Sequence, residues 1–336
     1  MTKRLGIVLF ILLFAGSAAL AQENAFHFSG YMFGDYYYVA KNHREDIKGE
    51  NGFWFRRIYF TVDKGLNESF DIRFRLEMNS PGDFTSSNKL TPFVKDAFVR
   101  WKKGNNQVLF GISPSPTWEF IESFWGYRSL EKTPLDLQRM GFAREFGIAY
   151  RGGPKKVKIH LTAGNGAGES SEINEGKAVS GSVQFHPTDS FVAELYADYN
   201  VLPQDVDRAT VQGFLGWQKK SGRIGFQYAH QEVSGPVSEI NLDVLSFFGV
   251  YIINEKWAII GRFDRMFDPN PEGEKIPYIP FAGTANSNFL LAALDFAVIK
   301  NVFLQPNVEF VTYGESDAGR SPGSDIIPRF TVFFRF

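Results

Sequence analysis

The chain has no cysteine among its 336 residues. Disulfides and cysteine–zinc sites are excluded, so packing and hydrogen bonds alone must hold the fold. It also lacks any apolar run of about 20 residues, the length a membrane-spanning helix needs. Residues 5–16 form an apolar run that is too short. Histidine is sparse: His27, His43, His160, His186 and His230 are scattered and give no metal-ligand spacing. There is no nucleophile elbow and no His-Glu-x-x-His motif. Charge of one sign is missing too. The net charge of −1 argues against a nucleic-acid partner. No second domain, low-complexity linker or helical plug can be read.

What is present begins with an export signal. Lys3 and Arg4 precede the apolar run, and Ser17-Ala18-Ala19-Leu20-Ala21 ends in an Ala-x-Ala pattern. This predicts a cleaved signal peptide over 1–21 and a single mature domain over 22–336. Aromatics are abundant at 16%, with 35 Phe and 13 Tyr. A mean hydropathy of −0.19 fits a soluble protein, but it also fits a transmembrane barrel, where only every second residue faces lipid.

Period-two alternation runs through the chain. Phe70, Ile72, Phe74, Leu76 and Met78 face one way, and Asp71, Arg73, Arg75 and Glu77 the other. At the C-terminus Phe330, Val332, Phe334 and Phe336 oppose Arg329, Thr331 and Arg335, with Phe333 the one apolar residue on the polar side. Strands are predicted at about 26–39, 54–63, 70–78, 94–102, 107–113, 144–151, 156–164 and 178–187. They continue at about 191–200, 209–218, 223–232, 240–253, 257–267, 289–299, 302–313 and 327–336. That is roughly sixteen, most of them long enough to cross a bilayer when tilted. The fold class is an all-β, transmembrane, antiparallel up-and-down barrel.

Short connections (64–68, 103–106, 152–155, 187–189, 219–222, 254–256, 300–301) alternate with longer ones (40–53, 79–93, 114–143, 165–177, 201–208, 233–239, 268–288, 314–326). That sorting predicts short periplasmic turns and long extracellular loops. Trp101, Tyr150, Phe185, Phe191, Trp217, Trp257 and Phe336 fall at periplasmic strand ends as a lower aromatic girdle. Tyr36, Tyr38, Trp54, Tyr199, Tyr228 and Phe267 would form the upper one. Pro306 interrupts a good strand and predicts a bulge or a shifted register.

A barrel of this size encloses a water-filled channel. Alternation assigns Arg57, Arg73, Arg75, Glu77, Asp96, Arg100, Arg262, Asp264, Asp295, Glu309, Arg329 and Arg335 to its lining. Such charges either select ions or pair across strands and brace the wall. The third outer loop, 114–143, is too apolar to sit in water, with Trp118, Phe120, Ile121, Phe124 and Trp125. It is expected to fold into the lumen and narrow it. Its charges, Glu119, Glu122, Arg128, Glu131, Lys132, Asp136 and Arg139, are the candidate constriction.

Phe55-Arg56-Arg57-Ile58-Tyr59-Phe60, Phe74-Arg75-Leu76-Glu77 and Lys95-Asp96-Ala97-Phe98-Val99 resemble early strands of the phosphate-selective porin O and P family. Arg128-Ser129-Leu130-Glu131-Lys132 and Gly141-Phe142-Ala143-Arg144-Glu145-Phe146-Gly147 resemble its third-loop region. The resemblance is best over about 53–151. It implies a sixteen-stranded channel, often trimeric, with an inward third loop and passage of anions or phosphate. Phe336 resembles the terminal signal read by the outer-membrane barrel assembly machinery.

The expected function is therefore a porin in a Gram-negative outer membrane. It contacts lipid and lipopolysaccharide and passes small hydrophilic solutes without turnover or cofactor. The resemblance puts anions or phosphate among the passing ions; if the interleaved acids win, the pore is expected to be cation-leaning or nonselective. Two alternatives are a lipid hydrolase using His230 with Ser234, Ser238 or Ser246, and a receptor or adhesin barrel using loop 268–288.

Overall fold

The structure is a computed structural model that describes residues 25–171, 175–236, 239–316 and 319–336. The expected signal peptide and Ser238 lie outside the described residues. The first eight strands are β1 (His27–Tyr38), β2 (Asn51–Gly65), β3 (Phe70–Met78), β4 (Phe93–Lys103), β5 (Asn106–Pro114), β6 (Arg144–Gly152), β7 (Val157–Gly164) and β8 (Ala178–Thr188). The others are β9 (Phe191–Leu202), β10 (Val206–Lys219), β11 (Gly222–Ser234), β12 (Glu239–Ile252), β13 (Trp257–Met266), β14 (Ser287–Ile299), β15 (Val302–Tyr313) and β16 (Asp325–Arg335). Two short helices, α1 (Trp118–Trp125) and α2 (Pro134–Leu137), lie between β5 and β6.

Each strand pairs antiparallel with its sequence neighbours, and β16 pairs with β1 to close the barrel. The closing register runs from Tyr31 opposite Arg335 to Tyr37 opposite Arg329. Phe336 and Gly30 exchange backbone hydrogen bonds of 3.0 and 3.1 Å at the seam. The physical cause is the alternation. In β3, Phe70 and Phe74 are exposed on the outside while Asp71 and Glu77 are buried inside. A charge placed on the outer face would cost about 2–4 kcal/mol at mid-membrane.

Among the described residues four ladders shift register, and the shifts in β2 and β4 concern charged residues. In β2, Phe33 opposes Arg57 and Gly34 opposes Phe55, so Arg56 is an extra residue. In β4, Arg75 opposes Asp96 and Leu76 opposes Val94, so Lys95 is extra. Both bulges turn a cation inward that strict alternation would aim at lipid. The β2 bulge also overturns one girdle assignment. Trp54 lies on the inner face, stacked on Tyr37 at 3.7 Å with its Nε1 donating to Asp35 at 3.2 Å.

Pro306 causes no register shift. The β14–β15 ladder skips Leu294 and Asp295 and resumes in the same register at Phe296 opposite Leu304. Pro306 pairs undisturbed with Phe330 on its other side, so its missing N–H costs only contacts to β14. The irregularity in that ladder lies further along, between Ala297 and Ile299.

Seven connections at one end, the turn end, are short, and most at the other, the loop end, are long. Two loop-end connections depart from expectation: three residues join β9 to β10 and four join β11 to β12. The strands simply continue, and Gln204 and Asp205 take left-handed backbone (φ 67° and 57°) to close a tight hairpin. At the turn end Trp217, Trp257 and Phe336 are exposed on the outer face, and Trp101 and Tyr150 are half-buried on it. Tyr36, Tyr38, Tyr199, Tyr228 and Phe267 are exposed near the loop end.

Segment 114–143 folds into the barrel. The apolar side of α1 (Ile121, Phe124, Trp125) joins Leu130 and Leu137 in one buried cluster with Phe214, Phe248, Ile260, Phe289 and Leu291 on the inner faces of β10 and β12–β14. Gly126 ends α1 in left-handed backbone (φ 71°), and its N–H donates to the Glu122 carbonyl at 2.9 Å. A side chain at Gly126 would run into the Arg223 guanidinium.

Loop-end segments are also tied to the barrel rim. His43 of 39–50 contacts Asp325 through Nδ1 at 3.0 Å and Glu274 through Nε2 at 3.1 Å. Tyr313 packs edge-on against its ring. Burial disfavours the charged imidazole, but Asp325 and Glu274 outweigh it and hold His43 above its usual pKa. The tether is thus complete below the unfolded pKa of about 6.5 and weakens as pH rises through the higher folded value. Unfolding midpoints measured from pH 5 to 9 should fall with pH in the wild type relative to His43→Gln. Parallel curves would refute this.

Candidate pore and its inner loop

The inner loop is pinned to the wall along its length. At the start of α1 the Thr117 hydroxyl donates to Glu194 at 2.7 Å and accepts from Gln212 at 2.6 Å. At its end Arg223 donates to the Trp125 carbonyl at 2.8 Å, a cation at a helix C-terminus. Further on, Ser129 donates to Gln305 at 2.7 Å, Arg56 to the Leu130 carbonyl at 2.7 Å, and Arg262 to the Lys132 carbonyl. Gln231 donates to the Met140 carbonyl at 2.6 Å.

This attachment divides the interior. The side of β10–β15 and the start of β16 is filled by the loop. There Arg262 pairs with Asp264, Asp295 accepts from Tyr127 (3.1 Å) and Gln305 (2.9 Å), and Arg329 pairs with Glu309 at 2.8 Å. Asp35 links Arg329 (3.4 Å) to Arg56 (2.8 Å), and Arg56 reaches Glu131 of the loop at 3.4 Å. All five side chains of that chain of pairs are buried.

The opposite side stays open. Arg57 pairs with Glu77 at 3.1 Å, Arg73 with Asp63 at 2.8 Å, Arg75 with Asp96 at 3.1 Å and Arg100 with Asp71 at 2.9 Å. Arg144 reaches the same Asp96 at 2.5 Å. Lys95 bridges Glu77 and Glu169 of the next loop. Two cavities follow this wall. One of about 280 Å³ lies between the polar side of α1 and β16–β1, lined by Tyr31, Phe333, Arg335, Glu122, Arg128 and Asp136. The other, of about 960 Å³, opens at the turn end beside Arg151, Lys158, His160 and Gln184. Glu119 and Ser123 line both.

The loop charges therefore divide. Glu119, Glu122, Arg128 and Asp136 border the open side. Glu131 is buried and donates nothing to the cavities, its carboxylate accepting from the Lys132 N–H at 2.6 Å. Lys132 is half-buried beside it. Arg139 sits outside the cavities, 3.7 Å from Glu272. Sequence reasoning missed Arg56 and Lys95. The available signal was a cation at a lipid-phase position in an otherwise apolar face.

His230 contacts Asp243 at 3.1 Å. Ser234 donates to Glu232, and Ser246 is buried without a hydrogen-bond partner, so neither serine hydroxyl bonds to His230. Among the described residues no cluster of three metal-ligand side chains is found, and no helix is long and apolar enough to cross a membrane.

The barrel superposes on solved outer-membrane structures. The anion-selective porin from Comamonas acidovorans matches with a TM-score of 0.70 at 11% identity, over 93% of this chain and 100% of that one. Salmonella typhi OmpF, solved with daunomycin, gives 0.66 at 11% identity over 94% and 98%. The outer membrane channel DcaP of Acinetobacter baumannii gives 0.64 at 12% identity over 93% and 97%. At such identities the likeness is one of fold. No protein-family model and no curated protein matches the sequence.

Proposed function

We propose that this chain is an outer-membrane porin, exported by residues 1–21, through which small hydrophilic solutes and ions diffuse passively. The observation that carries the reading is the divided interior: apolar packing on one side, a charged, cavity-bearing wall on the other, inside a barrel whose outer face is apolar. Residues 114–143 act as the constriction, with Glu119, Glu122, Arg128 and Asp136 facing the path. Trimer formation, contact with lipopolysaccharide and recognition of Phe336 by the barrel assembly machinery are parts of the same reading.

The ion pairs bear on selectivity. Arg57, Arg73, Arg75 and Arg100 each hold a carboxylate, which leaves little free positive charge for a phosphate trap. A weak anion preference is expected from Lys155 and Lys158 at the turn-end mouth, where Arg151 is itself held by Glu119 at 2.9 Å. The test is conductance and reversal potential in planar bilayers under a salt gradient. A small anion-side potential is expected. Arg75→Ala should shift it toward cations and Glu122→Ala toward anions. Folded protein that stays electrically silent would overturn the proposal.

A further inference from the structure

Phe333 stands out because every reason given for the alternation of β16 would put a polar residue there. It faces inward between Thr331, which is buried, and Arg335. It does not stand alone. Phe303 stacks on it at 5.5 Å and 21°, while Tyr31 and Phe33 meet it edge-on at 6.0 and 6.4 Å. Tyr59 continues the series 4.7 Å from Tyr31. The rings form one strip across the inner faces of β15, β16, β1 and β2, at the barrel seam. Unlike the apolar residues under the loop, Tyr31 and Phe333 border the 280 Å³ cavity.

The rest of that cavity is of another kind. Across from the rings, α1 and the residues after it present Glu119, Glu122, Ser123, Arg128 and Ser129. Arg128 lies 3.4 Å from Glu122 and 3.5 Å from Asp136. Donors and acceptors are thus held side by side. Four guanidiniums (Arg75, Arg128, Arg144, Arg335) meet three carboxylates (Glu119, Glu122, Asp136) around the space, so neither an anion nor a cation is strongly favoured.

A ring wall opposite a wall of paired donors and acceptors matches one solute chemistry. A pyranose sugar has a C–H face that is apolar and electropositive, suited to the negative face of an aromatic ring. Its edge carries vicinal hydroxyls, each a donor and an acceptor. The cavity volume is at the low end for small ligands and suits a single six-membered ring. We infer that the narrow part of the channel is a weak binding site for neutral pyranose sugars, seated on Phe333 and Tyr31 and hydrogen-bonded by the Glu122–Arg128 pair. The inference rests on the pore reading and names the solute class that it favours.

The experiment compares glucose with sorbitol, an open-chain polyol of nearly the same size. In liposome-swelling assays glucose should enter faster, and in planar bilayers glucose but not sorbitol should interrupt the ion current. Phe333→Leu keeps an apolar side chain in place but removes the ring. It should reduce the preference for glucose over sorbitol about two- to tenfold, the worth of one aromatic contact. Gel migration without boiling confirms that the variant is folded. Equal glucose and sorbitol rates through a conducting channel overturn this inference and leave the porin reading standing. So does a preference for benzoate over both sugars and acetate, which would assign the strip to aromatic anions. A channel that conducts nothing overturns both.

Discussion

Replacing Arg329 with alanine is expected to destabilise the barrel by about 3–5 kcal/mol, the range for breaking a buried ion pair by removing one partner. The Arg329 side chain is 0% exposed, as are those of Glu309 and Asp35. Its Nε donates to Glu309 at 2.9 Å, and its Nη2 donates to the Tyr278 carbonyl at 2.6 Å. Alanine would strand the Glu309 carboxylate away from water, leave Asp35 to its pair with Arg56, and remove one anchor of segment 267–286, which supplies Tyr278. Arg329→Lys should rescue only part of the loss, because an ammonium cannot serve partners with a planar fork. The readout is the temperature at which the compact, fast-migrating gel form is lost. An unchanged temperature for Arg329→Ala would show that these pairs do not hold the seam.

The second large effect concerns the inner loop. On the porin function proposed above, replacing residues 117–140 with a short Gly/Ser link should raise single-channel conductance several-fold, because α1 lies inside the barrel. The same change should lower stability. Phe214, Phe248, Ile260, Phe289 and Leu291 are at most 4% exposed under the loop. Each would lose cover worth about 1.5–3 kcal/mol if fully uncovered. Trp125→Ala is the gentler form of the test, at about 3–5 kcal/mol for a buried tryptophan. An unchanged conductance in the loop-replaced channel would mean that the narrow point lies elsewhere.

All sixteen strands were legible in the sequence because lipid outside and polar groups inside impose a strict period of two. The inward course of 114–143 was legible for a different reason: Trp118, Phe124 and Trp125 had nowhere dry to go but inside. The helical turn of 118–125 was not read, since eight residues give too few periods to separate helix from compact loop. The asymmetry of the interior was also missed, although it left a trace. β12 carries Phe247 and Phe248 in succession, and Val244, Phe248 and Val250 are buried on its inner face. A strand apolar on both faces has protein on one side and lipid on the other, whereas β3 keeps a charged inner face. Pairing across strands was anticipated, but the individual partners were out of reach: Arg73 meets Asp63, Arg75 meets Asp96 and Arg100 meets Asp71 only in the exact register of neighbouring strands, which alternation alone does not give.

The bulges at Arg56 and Lys95 bear on how such a wall can change in length. A strand with two different faces behaves like a reading frame of two. Deleting one ordinary residue from β2 would throw everything beyond it onto the wrong side and send arginines into lipid. Deleting Arg56 alone would restore unbroken alternation, with Trp54 and Arg57 both still facing inward. Lys95 holds the corresponding position in β4. Each is an insertion the frame tolerates, and each is a cation that reaches off its strand to a loop, Arg56 to Glu131 and Lys95 to Glu169. A lineage of barrels can therefore gain or lose a loop tether by a single codon without redrawing the wall that carries it.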